Sequence, residues 1–321
     1  MNRTIVPFHL IIFLLALVVQ PALADDDEVR RFTLKNTHFV PLSSSQTGRD
    51  YELVIALPGS YESSPEKRYP VLYILDPWWH MPLVTSVHGS QVYDRALPEL
   101  IIVGISYPGP NPDYDDLRAR DYTPTRVAGG NPDAGDAGKF LAFIEESVIP
   151  LVDSSYRTDR EERALSGVSL GGLFTLWAMY ERPGLFNRYI SLSPAVLWDD
   201  NLMFRVDDQF AAKNDAINAR LFIGYGTAET PTFADPIPAF QQKIAEREYQ
   251  GLELLNYAID GEKHGSACIE GYSRGSRWVF RDLAPHGPSG LEPVSYTHLR
   301  AHETRAFIAY AVFCLKRGGG G

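Results

Sequence analysis

The residues of this chain best placed to do chemistry are Ser169 and the two glycines that flank it, Gly167 and Gly171, in the stretch ALSGVSLGGLF. A serine hydroxyl is a weak nucleophile at neutral pH. To react, it must be raised on a tight turn, within reach of a base, and beside backbone N–H groups that hold a developing oxyanion. A strand that turns sharply into a helix supplies these, and small flanking residues let strand and helix close up while the serine takes a strained backbone conformation. The bare spacing G-x-S-x-G arises by chance in about one in ten chains of this length. Its context decides: the strand-like RAL precedes it and the apolar, helix-like LFTLWAMY follows, which predicts a nucleophile elbow.

In such an arrangement the acid and then the histidine follow the serine along the chain. His38, His80 and His88 precede Ser169; outside the last residues of the chain only His264 and His286 follow it. His264 sits in the loop directly after LELLNYAI, where a loop residue reaches the carboxyl edge of a sheet, so it is the expected base. The acid should follow the preceding run, ARLFIGYG, which offers Glu229 first and Asp235 second; Asp260 and Glu262 read as loop-solvating acids. One oxyanion donor is expected at the Leu170 N–H. The second belongs to DPWWHMP, where Pro77 has no N–H; that leaves Trp78 or Trp79, whose indoles also suit the lining of an apolar pocket. Cys268 reads as a small buried apolar residue. The histidines show no metal-ligand spacing and there is no phosphate-binding glycine loop, so no metal or organic cofactor is expected.

These residues need a frame. Eight strand-length runs recur: FTLKNTHFV, YELVIAL, YPVLYIL, LIIVGIS, RALSGVS, RYISLS, ARLFIGYG and LELLNYAID. The first two alternate polar and apolar residues, as half-exposed antiparallel strands do; the later ones are nearly continuous in Val, Ile and Leu, as strands buried on both faces of a parallel sheet are. AGKFLAFIEESVIPLV, GGLFTLWAMYE and PAFQQKIAEREYQ carry helical spacing between them. The pattern predicts an α/β fold: a mostly parallel central sheet with helices on both faces and antiparallel strands at the N-terminal end. Residues 107–138, rich in Pro, Gly and Asp, show no periodicity and are expected to form a long functional loop, a lid or a substrate wall.

The ends of the chain read differently. Arg3, an apolar block over residues 10–19 and Ala22-Leu23-Ala24 form a secretory signal peptide, with cleavage expected after Ala24 and the product periplasmic or secreted. The apolar block is too short to span a bilayer, which takes about 20 residues. Residues 25–292 then make one domain. The tail, residues 293–321, is expected not to be natural protein: back-translated, VSYTHLRAHET resembles a transposase adapter and IAYAVFCL a flow-cell primer. The formal net charge is −10, and the tail carries Arg300, Arg305, Lys316 and Arg317 against Glu303, so the rest is more acidic still. That charge opposes binding to nucleic acid or anionic membranes.

Several segments together, YPVLYILD, LIIVGISY, RARDYTP, RALSGVSLGGLFTLWAMYERPGLFNRYISLSP and GEKHGSACIEGYSRGSRWVF, resemble the esterase family of the α/β-hydrolase superfamily across most of residues 30–282. That family includes enterobactin-type siderophore esterases, S-formylglutathione hydrolases and carbohydrate-linked acyl esterases. The resemblance implies an α/β-hydrolase fold with Ser169 as nucleophile and His264 as base. It also sets Arg120, Asp121 and Tyr122 at the active-site edge, with Arg120 and Tyr122, beside Trp79, as candidate substrate contacts and an Arg120–Asp121 structural pair as the other reading. Where the family often has Leu-Asp-Gly this chain has Leu75-Asp76-Pro77, which leaves the second oxyanion donor open. The expected function is an exported serine esterase acting on small-molecule esters, siderophore-type lactones among them. A sugar-acyl or general carboxylesterase, an acyltransferase, and a non-catalytic binding protein of the same fold are the alternatives.

Overall fold

All eight strand-length runs become strands of a single sheet in the computed structural model, which describes residues 32–285. Residues 1–24, where a signal peptide is expected, the tail 293–321 and His286 lie outside the described residues. The chain opens with β1 (Thr37–Ser43), β2 (Asp50–Ala56), β3 (Tyr69–Leu75), α1 (Pro77–Tyr93), β4 (Ile101–Ser106), α2 (Tyr114–Tyr122), α3 (Ala137–Phe143) and α4 (Ile149–Ser155). It continues with β5 (Thr158–Val168), α5 (Leu170–Glu181), β6 (Arg188–Leu192), α6 (Trp198–Ala211), β7 (Ala216–Gly226), α7 (Pro231–Ala234), α8 (Pro236–Arg247), β8 (Gln250–Ile259) and α9 (Ala267–Val279). The strand order is β1-β2-β4-β3-β5-β6-β7-β8. β1 pairs with β2, and β2 with β4, antiparallel. Every later pairing is parallel.

The burial patterns follow from this order. β3, β4 and β6 are buried at every residue because helices cover both faces, whereas β1 alternates and carries Pro41, which a sheet edge tolerates. Along β3, Val71, Tyr73 and Leu75 enter one core with Phe140, Phe174 and Ile237, while Leu72 and Ile74 enter the other with Met81, Val84, Tyr272 and Val279. Helices α1 and α9 therefore cover one face and the other long helices its opposite. Among the described residues no helix is long and apolar enough to cross a membrane.

Two expectations change. The helical stretch from Ala137 is not one continuous α-helix: a π turn at Ile144–Val148 separates α3 from α4. Pro150 has no N–H to offer the Glu146 carbonyl, so the ordinary i→i+4 ladder is broken at this point and a wider turn replaces it. Residues 107–138 are also not one irregular loop, because they contain α2, started by the Asp113 carboxylate accepting from the Asp116 N–H at 3.1 Å. The segment is pinned rather than free. Buried Asp121 pairs with Arg49 and accepts from the Tyr51 hydroxyl at 2.8 Å, and Arg49 also reaches Asp136 at 3.1 Å.

At the edge of the sheet away from the strands' carboxyl ends, Arg188 at the start of β6 is 2% exposed. It pairs with Glu162 of β5 and donates two 3.0 Å hydrogen bonds to Asp282, which also pairs with Arg220 of β7. Burial alone would raise the Asp282 carboxyl; hydrogen bonds from Arg220 and Arg188 outweigh it and pull the pKa down to about 2. A carboxylate depressed in the folded state adds stability above its unfolded pKa, about 3.9, that is lost as pH falls through the folded value. The predicted result is that Asp282→Asn flattens the decline of unfolding free energy between about pH 4 and pH 2, measured by urea denaturation at stepped pH. Arg188→Met leaves Glu162 without its guanidinium and Asp282 with Arg220 as its remaining cation, and is expected to lower stability by about 2–3 kcal/mol in the same assay at neutral pH.

Candidate active site

Ser169 sits at the turn between β5 and α5 with φ 62° and ψ −117°, a conformation non-glycine residues rarely adopt. Its neighbours hold it there. The Ser169 N–H donates to the Leu192 carbonyl at the end of β6, and its carbonyl accepts from Ala195 and Leu173, at 3.0 and 2.9 Å. The flanking glycines differ in their reasons. A Cβ on Gly167 would stand 2.3 Å from the Gly171 carbonyl oxygen, so strand and helix close only over a bare glycine. A Cβ on Gly171 would meet ordinary contacts at 3.4 Å, from Leu75 and the Asp76 carboxylate. The second demanding position is Gly172, where a Cβ would lie 2.8 Å from the Leu192 carbonyl oxygen. Gly172→Ala is accordingly expected to lift α5 off β6, lowering stability by about 1–3 kcal/mol with turnover falling alongside, as chemical denaturation and steady-state rates would register.

The acid and the histidine are brought together by two loops laced to each other. After β7, Thr227 and Ala228 donate to the carbonyls of Ile259 and Glu262, both at 2.9 Å, and a Cβ on Gly226 would overlap the Glu262 carbonyl at 2.2 Å. The result is a contact of 2.7 Å between Glu229 Oε2 and His264 Nδ1. Glu229 Oε1 is fixed by the Ser193 hydroxyl at 2.6 Å and the Gly226 N–H at 2.8 Å. Burial on its own would raise the Glu229 carboxyl; the bonds from His264, Ser193 and Gly226 together hold it below the usual carboxylate range. Because a carboxylate only accepts, Nδ1 of His264 carries the proton and Nε2 is left as the acceptor. Phe233 packs edge-on against the imidazole, with ring centroids 4.6 Å apart, and the imidazole stays partly open to solvent, its side chain 42% exposed. Asp235 is exposed between α7 and α8; Glu229, not Asp235, meets His264.

The run DPWWH is not a loop but the start of α1. Asp76 is its N-cap in the left-handed region, φ 53° and ψ 49°, and Pro77 is the first helical residue, a position where a missing N–H costs nothing. The amides of Trp79 and His80 both donate to the Asp76 carbonyl at 3.1 Å. Among the described residues, the N–H groups of Trp78 and Leu170 have no acceptor. Both are first-turn amides of helices that begin at the same edge of the sheet, where their dipoles favour negative charge. The Trp78 ring stacks on Tyr114 at 3.8 Å, and the Trp79 ring is 60% exposed at the rim. The Ser169 hydroxyl makes no hydrogen bond to any described residue; such contacts often tighten only when substrate binds.

Two residues expected at the substrate take other places. Tyr122 is fully buried, its hydroxyl accepting from the Asp76 N–H at 3.4 Å. Arg120 turns outward and pairs with Asp116 and Asp133 at 2.8 and 3.1 Å rather than with Asp121. The inward arginine of RARDYTP is Arg118, bidentate on Asp76 at 3.1 and 2.8 Å. Sequence reasoning missed Arg118, Ser193 and Phe233; for Arg118 the available signal was its place two residues before Arg120, on another face of the same helix.

A strained serine at a strand–helix elbow and a glutamate-held histidine on one edge of a parallel sheet describe a hydrolase. The family model described as "Putative esterase" matches residues 44–271. The chain belongs to this esterase family. It is 28% identical over 272 residues to the ferri-bacillibactin esterase BesA of Bacillus subtilis, covering 79% of this chain and 93% of that protein. It is 27% identical over 288 residues to the siderophore triacetylfusarinine C esterase of Aspergillus fumigatus, covering 77% and 97%. Among solved structures, an IroE-like serine hydrolase from Shewanella oneidensis superposes with a TM-score of 0.70 at 29% identity, covering 77% of this chain and 81% of that one. This esterase is thus a carboxylic ester hydrolase, and the fold is that of its relatives.

Proposed function

We propose that the protein is an exported serine esterase that opens siderophore-type ester or lactone bonds through an acyl-enzyme on Ser169. The observation that carries this reading is the 2.7 Å contact between Glu229 and His264 Nδ1, which leaves Nε2 basic on the sheet edge that also holds Ser169. In the proposed cycle His264 Nε2 takes the proton as Ser169 Oγ attacks the ester carbonyl. Glu229 holds the imidazole in the working tautomer and stabilises the imidazolium that forms. The N–H groups of Leu170 and Trp78 receive the oxyanion. His264 then protonates the leaving alcohol, and water enters through the same histidine to free the acid.

The siderophore substrate is supported by relatives whose own substrates are siderophores, and export by the signal-peptide pattern of residues 1–24. The aromatic rim of Trp79 and the stacked Trp78 and Tyr114 suits a large, flat acyl group better than acetate. The test is a comparison of kcat/KM for a trilactone siderophore, an acetylated sugar and p-nitrophenyl butyrate. The trilactone is expected to lead by at least an order of magnitude; equal or better hydrolysis of the acyl sugar would overturn the substrate assignment.

A further inference from the structure

Asp76 is an aspartate at a helix N-cap that does not cap its helix. An N-cap carboxylate ordinarily accepts from the amide at the second or third helical position, which here are Trp78 and Trp79. Instead both carboxylate oxygens turn to Arg118, whose Nε and Nη2 donate to Oδ1 and Oδ2 at 3.1 and 2.8 Å. The same Nη2 approaches the Val168 carbonyl, one residue before Ser169, at 3.4 Å. Asp76 is fully buried and Arg118 nearly so, its guanidinium between the rings of Trp79 and Tyr122 at 5.9 and 5.8 Å. A Cβ on Gly171 would lie 3.4 Å from Asp76 Oδ2, so this ion pair adjoins the first turn of α5 as well as that of α1.

We infer that Arg118 is a positioning residue that keeps the second oxyanion donor open, by drawing the Asp76 carboxylate away from the Trp78 N–H that it would otherwise cap. The inference rests on the serine-esterase reading above. Its physical content is a competition for one acceptor. Asp76 sits in the left-handed region, a conformation strained for a residue with a Cβ, and the bidentate pair with Arg118 fixes its carboxylate away from α1. Without the guanidinium, Asp76 relaxes to the extended conformation usual at N-caps, relieving that strain, and its carboxylate swings onto the Trp78 N–H. The site would then hold a fixed negative charge where the substrate oxyanion must form.

A merely structural ion pair and this competition differ in what happens when the second partner is also removed. If Arg118 only supports the fold, deleting Asp76 as well adds damage or changes nothing. If Arg118 restrains Asp76, removing the carboxylate restores the open amide. The experiment measures kcat and KM on p-nitrophenyl butyrate for wild type, Ser169→Ala, Arg118→Met, Asp76→Ala and the double variant Arg118→Met/Asp76→Ala. Thermal unfolding and circular dichroism are recorded for each. Arg118→Met is expected to lose about 10^2–10^3-fold in kcat, the size of one lost oxyanion donor, with KM changed less than threefold, and the double variant to recover at least tenfold of that loss. Should Arg118→Met not fold, Arg118→Lys and Arg118→Lys/Asp76→Ala are compared in its place: the lysine, which cannot hold both carboxylate oxygens, is expected to lower kcat and the double variant to recover at least tenfold of that loss, and a double variant no faster than Arg118→Lys overturns the inference. Wild-type-like kcat in folded Arg118→Met, or a double variant no faster than Arg118→Met, overturns the inference while Ser169-dependent hydrolysis leaves the esterase reading standing. A wild type whose hydrolysis survives Ser169→Ala overturns both.

Discussion

Replacing Ser169 with alanine is expected to lower kcat by about 10^5–10^6-fold while leaving KM and the unfolding midpoint nearly unchanged. The size follows from the role. In the proposed cycle no acyl-enzyme forms without Oγ, and the residual rate is expected to come from water attacking a carbonyl still held by the Leu170 and Trp78 amides. His264→Ala is expected to fall as far, and the double variant no further, because the two residues act as one unit. The measurement is single-turnover and steady-state hydrolysis of p-nitrophenyl butyrate by the three variants, with circular dichroism to establish folding. Ser169→Ala leaves the positive-φ strain in place, since alanine also has a Cβ, so stability should not rise by much.

Replacing Glu229 with glutamine is expected to reduce kcat by about 10^4-fold, less than loss of the serine or histidine. The amide keeps the shape of the carboxylate, whose side chain is only 1% exposed. It nevertheless presents a group that can donate to Nδ1, which favours the tautomer with the proton on Nε2, where it blocks attack. Stability responds separately. Since Glu229 is held below the usual carboxylate range by His264, Ser193 and Gly226, it adds stability above about pH 4.3 that declines as pH falls through its folded value. Glu229→Gln should remove that dependence, read as a flatter urea midpoint across acidic pH.

How far the molecule was legible from its residues differs by layer. The strands were readable because a sheet covered on both faces demands unbroken apolar runs such as YPVLYIL, and local composition carries that demand. Helices α1 and α9 were not. α1 holds Pro77 and Pro82, which look like loop residues until the first is seen at a helix start. α9 holds Gly271 and Gly275, and a Cβ at either would run into Leu192 or Ile190, at 2.7 and 2.8 Å. Those glycines serve close helix–sheet packing, a reason that exists only in three dimensions.

The site divides along the same line. Ser169, Glu229 and His264, the residues proposed to do the chemistry, were picked out from the order of strands, because each follows a strand end and strand ends of a parallel sheet converge on one edge. Arg118 and Arg120 could not be ranked from RARDYTP, since which one faces inward depends on how α2 is turned against Asp76. Ser193 fixes Glu229 across a gap of 36 residues in sequence, a contact no local pattern announces.

The central claim is that Ser169 is the nucleophile, and covalent capture tests it most directly. The protein is treated with a fluorophosphonate, and the adduct is located by intact mass and peptide mapping. One phosphonyl group on Ser169, absent in Ser169→Ala and strongly slowed in His264→Ala, is the predicted result. Undiminished ester hydrolysis with no adduct at Ser169, or an adduct on another residue that survives Ser169→Ala, would contradict it.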